Sequence, residues 1–321
     1  MNSAANHATQ TPAIPVIDVG PFIRNEPGAA AVVSAIETAC RDTGFFLVVG
    51  HGVSPEKTMR LYTLARSFFD EPQEWKKVQG RGTGLVGGVA FSPIADEALS
   101  ATLGIKTPGD YKESLNFGAR LPGDTWPDKP EGLEEAFRDY FVEMETLAKH
   151  LRRVFCQAIG LDADYFEPSF DEHLSALRVI NYPEQEEDPL PGQLRAGVHT
   201  DYGFMTILRS EASSGGLQVQ TREGEWLDAP SIDGAYVINI GDAFMRWTND
   251  EWVSTPHRVA NPPSDKKGSS RRQSIPFFLN PGKDTVISCL EPFCSGGKTA
   301  KYEPITYGEY IALKTKQAFG K

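Results

Sequence analysis

The chain has 321 residues, and its content of 40% hydrophobic and 10% aromatic residues excludes an intrinsically disordered protein. The 43 acidic and 32 basic residues give a formal net charge of −11, which disfavours nucleic acid and anionic membranes as partners. The N-terminus lacks a secretory signal and no apolar run reaches the roughly 18 residues of a membrane span, so we expect a cytoplasmic protein. The four cysteines are scattered and are expected to be reduced thiols.

The N-terminal half of the sequence predicts short strands and amphipathic helices. Residues 131–158 place apolar side chains every three or four positions, which is typical of one long helix buried on one side. We expect this helix to back a sheet. Ser54 and Pro55 suit the N-cap and the first position of a shorter helix. The other elements predicted here are strands at 14–19 and 45–49 and helices at 29–40 and 57–69.

Two motifs in this half are interpreted as structural. Gly82–Gly87 fits the dinucleotide-binding pattern G-x-G-x-x-G, which requires an apolar strand before it and a helix after it. Polar residues at 74–77 precede it and Pro93 follows soon after, so we interpret the segment as a loop. His51 closes the turn after the second strand and is interpreted as a structural histidine rather than a ligand.

The second half of the sequence predicts a β-structure. From Ala176 onward the spacing of apolar residues changes to two, and turn residues recur every eight to twelve positions. Short strands after a helical half indicate an α+β protein with an N-terminal helical flank and a core that is a β-sandwich or a jelly roll, the latter being a double-stranded β-helix. No helix is expected between these strands. They are predicted at 177–182, 197–201, 205–208, 217–220, 226–229, 236–240, 257–259, 274–279 and 285–288.

We expect these elements to form one integrated domain with three regions. Residues 1–175 would be the mixed N-terminal region with the long backing helix, and residues 176–290 the jelly-roll core. Residues 291–321 would be a C-terminal helical lid, with a helix at 306–319 for which a simple packing role is the alternative.

Three residues of the second half have the chemistry of a metal site. In an extended strand His199 and Asp201 point the same way, because side chains alternate between faces. His257 supplies a second imidazole, and two histidines with one carboxylate are the facial triad of non-heme Fe(II) oxygenases. Zinc is the alternative, but the glutamate base that accompanies zinc in H-E-x-x-H sites is missing. The predicted catalytic metal ligands are therefore His199, Asp201 and His257.

Seven motifs between residues 14 and 280 occur in an order that resembles one protein family. They are Ile14–Asp18, Gly44–Phe46 with Val49–Gly52, Asn181–Pro183, His199 with Asp201, Gly241–Asp242, His257–Val259, and Arg272-x-Ser274 before Pro276–Phe278. Together they resemble the 2-oxoglutarate-dependent Fe(II) dioxygenases of the isopenicillin N synthase-like group. The resemblance implies that Fe(II), 2-oxoglutarate and O₂ are used, with ascorbate as an activator. It also implies that 2-oxoglutarate is decarboxylated to succinate while a small molecule, of secondary metabolism, is oxidised.

The cosubstrate residues follow from the resemblance and from strand geometry. A planar, always charged guanidinium suits the distal carboxylate of 2-oxoglutarate. Arg272 and Ser274 alternate on one strand and therefore point together, whereas Arg271 would lie on the opposite face. The family's Arg-x-Ser spacing selects Arg272. The resemblance also assigns Tyr182 and Asn181 to the cosubstrate, with a sheet-packing role as the alternative for Tyr182.

The substrate is not defined by these motifs. By resemblance, the loop at 80–91 and the segment 110–114 border the substrate cavity, which makes Tyr111, Lys112 and Phe117 candidates for substrate contacts. The loop at 80–91 and the C-terminal helix are expected to close over substrate. Truncation after Glu303 would then leave iron and 2-oxoglutarate binding nearly unchanged. Asp242 is expected to be a structural turn residue near the metal strand.

Two other functions stay open at this point. Oxidases of the same group, such as isopenicillin N synthase and the aminocyclopropane-carboxylate oxidase, keep the Arg-x-Ser pair but do not use 2-oxoglutarate. A non-catalytic jelly-roll binding module is the second alternative, although the intact metal ligands argue against it. Hydroxylation, desaturation and ring formation are not distinguished. We expect a monomer or a weak homo-oligomer.

Overall fold

A computed structural model describes residues 14–79, 89–118, 126–211, 216–263, 265 and 270–319. The elements of the N-terminal half are β1 (Val16–Asp18), α1 (Gly20–Ile23), α2 (Ala29–Asp42), β2 (Phe45–Val49), α3 (Pro55–Phe69), α4 (Gln73–Lys76), β3 (Val89–Ser92), β4 (Glu113–Gly118) and α5 (Leu133–Ala158). The 3-10 helices at Leu99–Leu103 and Glu167–Phe170 lie in connecting segments.

The second half contains most of the strands. Its elements are β5 (Ala176–Tyr182), β6 (Ala196–His199), β7 (Met205–Ser210), β8 (Leu217–Gln220), β9 (Trp226–Asp228), β10 (Tyr236–Ile240), α6 (Asp242–Trp247), β11 (His257–Val259), β12 (Arg272–Leu279), β13 (Val286–Ile287), α7 (Glu291–Cys294), β14 (Ile305–Thr306) and α8 (Tyr307–Phe319).

Two sheets form the jelly roll. The major sheet has the strand order β1-β2-β10-β7-β12-β5-β4-β3, and the minor sheet has the order β6-β11-β8-β9. The pairs are antiparallel apart from β1 with β2, which run parallel. Strands of both halves of the sequence thus share one sheet, so the N-terminal region is built into the core of the fold. The predicted jelly roll with a helical flank is confirmed.

The helix α5 backs the major sheet as its spacing predicts. Phe141 of α5 packs edge-on against Phe277 of β12, with ring centroids 5.1 Å apart, and Phe155 lies 6.5 Å from Phe46 of β2. These four rings are almost completely buried. Burial of large aromatic side chains is the main source of stability in such a layer. One face of the sheet is therefore filled by helices, and the opposite face is left for the cavity.

Two predictions about the second half are wrong in detail. A helix does interrupt the strands, because α6 follows β10 at once. The strand predicted at 197–201 ends at His199, since the chain turns there and the carbonyl of Asp201 accepts a hydrogen bond from the N–H of Asp242 at 2.7 Å. In the part of the chain that the structure describes, no helix is long and apolar enough to cross a membrane.

Candidate active site

The three predicted metal ligands converge between the two sheets. His199 ends β6 and pairs directly with His257 of β11. Oδ1 of Asp201 lies 3.9 Å from Nε2 of His199 and 4.0 Å from Nε2 of His257, and the three ligand atoms are all within 4.8 Å of one another. The two shorter separations are below twice a metal–nitrogen bond of about 2.1 Å. One ion can therefore bind all three side chains.

Hydrogen bonds orient each ligand toward this point. Nδ1 of His199 lies 2.7 Å from the carbonyl of Gly197, and Nδ1 of His257 lies 3.1 Å from the carbonyl of Thr255. Because a carbonyl only accepts, each Nδ1 carries the proton and each Nε2 keeps its lone pair for a metal. The donor set fits Fe(II), which binds imidazole and carboxylate in a facial triad.

The carboxylate of Asp201 is fixed in the same way. Its Oδ2 accepts hydrogen bonds from Thr206 Oγ1 at 2.5 Å and from Asn239 Nδ2 at 2.7 Å, and this leaves Oδ1 for a metal. Thr206 lies on β7 and Asn239 on β10 of the major sheet. Neither residue was predicted, since no sequence motif links them to the ligands, and only the pairing of β7 with β10 brings them together.

Burial and neighbouring groups keep His199 and Asp201 in their metal-binding forms. Burial, together with the adjacent His257, lowers the pKa of His199 to about 3, so its imidazole is neutral at physiological pH. Burial opposes the ionisation of Asp201, but the two imidazoles and the hydrogen bonds to its carboxylate outweigh burial and lower its pKa. A neutral imidazole and an ionised carboxylate are the forms that bind a divalent cation.

Two glycines allow the metal-ligand turn, residues 200–203 after β6, to pack closely against the end of β12 and the start of α6. A Cβ atom on Gly203 would lie 2.2 Å from Oδ1 of Asn280, and one on Gly241 would lie 2.1 Å from the carbonyl of Gly203. The Cβ on Gly203 would also lie 2.9 Å from the backbone carbonyl of Leu279, so backbone atoms crowd both positions where this turn meets the start of α6. Close approach of backbones is a common reason for glycine at a functional turn.

Three of the four predicted cosubstrate residues, Arg272, Ser274 and Tyr182, lie together at one end of the cavity. Arg272 and Ser274 are buried on the cavity face of β12, and Tyr182 pairs with Arg272 from β5. The Arg272 guanidinium lies 4.7 Å from the Tyr182 ring, and its Nη1 donates to Ser210 Oγ at 3.1 Å. A buried guanidinium with hydroxyl groups beside it is suited to a carboxylate ligand.

Arg195 is a second buried arginine at this end and was not predicted. It donates to the carbonyl of Ser270 at 2.7 Å and to that of Pro183 at 3.0 Å. Burial, together with the charge of Arg272, lowers the pKa of Arg195 to about 10. The two guanidinium groups therefore repel each other, and an anion bound beside them would relieve that repulsion. Arg195 directly precedes β6, and no sequence motif indicated that it would lie near Arg272.

Asn181 does not lie with the cosubstrate residues. Because side chains alternate along β5, Tyr182 faces the cavity and Asn181 faces the helices. Its Nδ2 donates to Glu113 Oε1 at 2.9 Å and its Oδ1 accepts from Arg271 Nε at 3.2 Å. Arg271 also forms an ion pair with Asp70, with a separation of 2.6 Å. Asn181 therefore lies on the face of β5 away from Arg272 and Ser274, and Arg271 lies on the opposite face from Arg272 as predicted.

Of the three candidate substrate residues, the structure places one in the cavity. Lys112 lines it and is held by Asp110 at 2.6 Å and by Glu97 at 3.3 Å. Phe117 instead packs against the aromatic side chains of α5, and its neighbour across the sheet is Leu177. The Tyr111 hydroxyl points to the carbonyl of Glu184 outside the cavity lining. Phe117 and Tyr111 therefore lie outside the cavity lining, and Lys112 alone of the three candidates lies in it.

Arg178 and Glu97 form a charged pair in the cavity wall that was not predicted. Arg178 Nη1 donates to Glu97 Oε2 at 3.0 Å, and the guanidinium lies 5.8 Å from the Phe278 ring. Although burial alone would raise it, Arg178 and Lys112 lower the pKa of Glu97 to about 2. Phe278 is the cross-strand neighbour of Thr206, whose hydroxyl donates to Asp201. The Arg178–Glu97 pair therefore lies at the metal end of the cavity.

The cavity has a volume of about 220 Å³. This value is below the roughly 300 to 1,000 Å³ of most small-molecule sites, and the cavity must hold both cosubstrate and substrate. Tyr307 and Ile311 of α8 form part of its wall, so the C-terminal helix closes one side. Most of the predicted loop at 80–91, including Gly82–Gly87, lies outside the described residues; its end forms β3.

Several other predicted features have structural roles. His51 Nε2 lies 2.8 Å from the carbonyl of Gly234, and its ring packs on Tyr236. All four cysteines are free thiols, two of them buried, as expected. Asp242 does lie beside the metal-ligand turn, at the start of α6.

Comparisons with known proteins agree with this site. Residues 174–281 match the 2OG-Fe(II) oxygenase superfamily, and residues 14–139 match the N-terminal region of the non-haem dioxygenases in morphine synthesis. The chain is 30% identical to the 2-oxoglutarate-Fe(II) type oxidoreductase hxnY of Emericella nidulans, over 96% of this chain and 90% of that protein. It is also 30% identical to a homoarginine-6-hydroxylase of Oryza sativa, over 96% and 98% of the two chains.

Solved structures of one oxygenase resemble this chain over nearly its whole length. Full-length T7H of Neurospora crassa in complex with alpha-KG has a TM-score of 0.84 and 30% identity, covering 95% of this chain and 96% of that one. Its complex with alpha-KG and thymine also gives 0.84, with 29% identity over 96% and 97%.

The chain therefore belongs to the 2-oxoglutarate- and Fe(II)-dependent oxygenase superfamily. It is an oxidoreductase that uses Fe(II) and 2-oxoglutarate on a small molecule, and the alternative of a 2-oxoglutarate-independent oxidase is not supported.

Proposed function

We propose that His199, Asp201 and His257 hold the Fe(II) ion and that Arg272, with Ser274, holds the distal carboxylate of 2-oxoglutarate. The observation that supports this most strongly is the convergence of the three ligand atoms, with each Nδ1 already committed to a carbonyl. Bound iron supplies the activation of O₂ that couples decarboxylation of 2-oxoglutarate to oxidation of the substrate. The protein residues position both molecules and exclude water.

Arg178, Glu97 and Lys112 are proposed to face the substrate. Arg178 and Lys112 both contact Oε2 of Glu97, and no donor among the described residues reaches Oε1 of Glu97. Arg178 in turn uses only Nη1 of its guanidinium nitrogens for a hydrogen bond within that same set of residues. The pair thus offers a donor and an acceptor side by side. With Asp110 the cluster contains two cations and two anions, so a charged substrate would upset its balance.

We infer that the substrate is a small, uncharged ring with a carbonyl beside an N–H group. A cyclic amide, imide or urea has this pattern, and a small ring fits the limited cavity. The complex of N. crassa T7H with thymine supports the inference, because thymine is such a ring. Thymine is therefore the first substrate to test, with succinate formation dependent on Fe(II), 2-oxoglutarate and the added compound as the readout.

Arg178→Ala is expected to raise the apparent KM for the substrate about 10-fold to 100-fold, because a hydrogen bond to a charged group contributes roughly 1.5 to 3 kcal/mol. The KM for 2-oxoglutarate should stay unchanged. Steady-state kinetics with a panel of cyclic amides and charged amino acids would measure both constants. Succinate formation that only charged amino acids stimulate, or an unchanged KM for the substrate in Arg178→Ala, would contradict the proposed role of Arg178.

Truncation after Glu303 is expected to lower the ratio of oxidised product to succinate, since Tyr307 and Ile311 close the cavity. Quantifying both products at saturating 2-oxoglutarate would measure this coupling. A truncated enzyme with an unchanged ratio would show that α8 contributes packing alone.

Other properties rest on the sequence and are proposals here. They are a cytoplasmic location, a monomer or weak homo-oligomer, ascorbate as an activator, membership of the isopenicillin N synthase-like group, a place in secondary metabolism, and the division of the domain at residues 175 and 290.

A further inference from the structure

Asp242 forms hydrogen bonds with both segments of the chain that carry the predicted metal ligands. Its N–H donates to the carbonyl of Asp201 at 2.7 Å, and its Oδ2 accepts from Thr200 Oγ1, next to His199, at 3.2 Å. Its Oδ1 accepts from Ser254 Oγ at 2.7 Å, three residues before His257. Asp242 is buried, so these bonds are protected from water.

The same carboxylate holds the C-terminal helix. Lys314 Nζ of α8 lies 2.7 Å from Asp242 Oδ2, and the Tyr310 hydroxyl donates to the same oxygen at 3.3 Å. Lys314 Nζ also lies 5.3 Å from the ring of Tyr202, which follows Asp201 and lines the cavity. Tyr307, Ile311 and Lys314 are spaced by four and three residues, so the two cavity-lining residues and the lysine lie on one face of α8.

We propose that Asp242 is a positioning residue that couples docking of α8 to metal binding. Displacement of α8 removes the lysine and tyrosine partners of Asp242 and leaves a buried carboxylate without its cation. That carboxylate then shifts or takes water, and its bonds to Thr200 and Ser254 shift with it. The metal ligands lose part of their alignment, although neither Asp242 nor Lys314 is one of the proposed ligands.

The coupling acts in both directions. If docking of α8 strengthens metal binding by some factor, metal binding strengthens docking by the same factor. Loading of the metal site thus favours closure of the cavity before oxidation begins. The proposal rests on the proposed metal ligands and changes the expectation for a chain truncated after Glu303, which should bind metal less tightly rather than nearly unchanged.

The test compares Lys314→Met with Lys316→Met, a matched control on the exposed side of the same helix. The probe is Mn(II), titrated by calorimetry in the presence of 2-oxoglutarate, and amide exchange of α8 is followed with and without Mn(II). Lys314→Met should weaken Mn(II) binding about 5-fold, at the low end of typical coupling between sites. Mn(II) should slow exchange of α8 in the wild type and do so less in this variant.

Lys314→Arg should restore both properties, because it returns a cation to Asp242, and Lys316→Met should resemble the wild type. Faster exchange of α8 in Lys314→Met with unchanged Mn(II) affinity would overturn the coupling. Exchange that does not respond to Mn(II) in the wild type would overturn it as well. A wild-type protein that does not bind Mn(II) at all would instead contradict the proposed metal ligands.

Discussion

Replacement of His199, Asp201 or His257 by alanine is expected to abolish substrate-dependent formation of succinate. Loss of a residue that merely orients a metal ligand typically costs 10-fold to 100-fold, so loss of a ligand itself should lower turnover by more than about 100-fold. The fold should stay largely intact, because the three side chains point into a cavity and do not fill the core. Assays of succinate, with circular dichroism of each variant, would measure both effects.

His150→Ala is the matched control for the two histidine variants. His150 is a partly buried residue on α5, the helix that backs the major sheet, and it lies outside the cavity lining. Turnover of this variant should equal that of the wild type. Near wild-type turnover in any of the three ligand variants, with metal still bound, would rule out that residue as a ligand.

Arg272→Ala is expected to raise the apparent KM for 2-oxoglutarate by at least about 30-fold. Removal of one member of a buried charge pair costs roughly 2 to 5 kcal/mol, because the other charge is left without its partner. Arg272 is only 6% exposed, so water compensates little for the loss. Calorimetric binding of 2-oxoglutarate to the Mn(II) form would measure the effect apart from turnover.

Arg271→Ala is the control for this prediction, since Arg271 is one residue away but pairs with Asp70 on the opposite face of β12. It should leave the affinity for 2-oxoglutarate within about twofold of the wild type, as expected for a surface ion pair. If the affinity falls for Arg271→Ala and not for Arg272→Ala, the proposed roles of the two arginines are reversed.

Local patterns in the sequence account for much of the fold and the metal site. The spacing of His199 and Asp201 predicts that they lie on one side, although β6 ends at His199 and the turn after it positions Asp201. Alternation along β12 separates Arg272 and Ser274 from Gln273. The three-and-four spacing of 131–158 marks α5 as a buried helix. These features depend on residues near one another in the chain, so one sequence is enough to predict them.

Features that depend on contacts between distant segments were not predicted. Thr206 and Asn239 reach Asp201 only because β7 pairs with β10. Lys314 meets Asp242 from 72 residues away in the sequence, after α8 folds back over the cavity. Asn181 adjoins Tyr182 in its motif but faces the helices, since neighbouring residues of a strand point in opposite directions.

The most direct test of the proposed site is a crystal structure with Mn(II) and 2-oxoglutarate, in which an anomalous difference map locates the metal and the electron density locates the cosubstrate. We predict one strong anomalous peak within bonding distance of His199 Nε2, Asp201 Oδ1 and His257 Nε2. We also predict electron density for the distal carboxylate of 2-oxoglutarate on the guanidinium of Arg272. A metal peak elsewhere, or a cosubstrate carboxylate that does not contact Arg272, would contradict the proposed site.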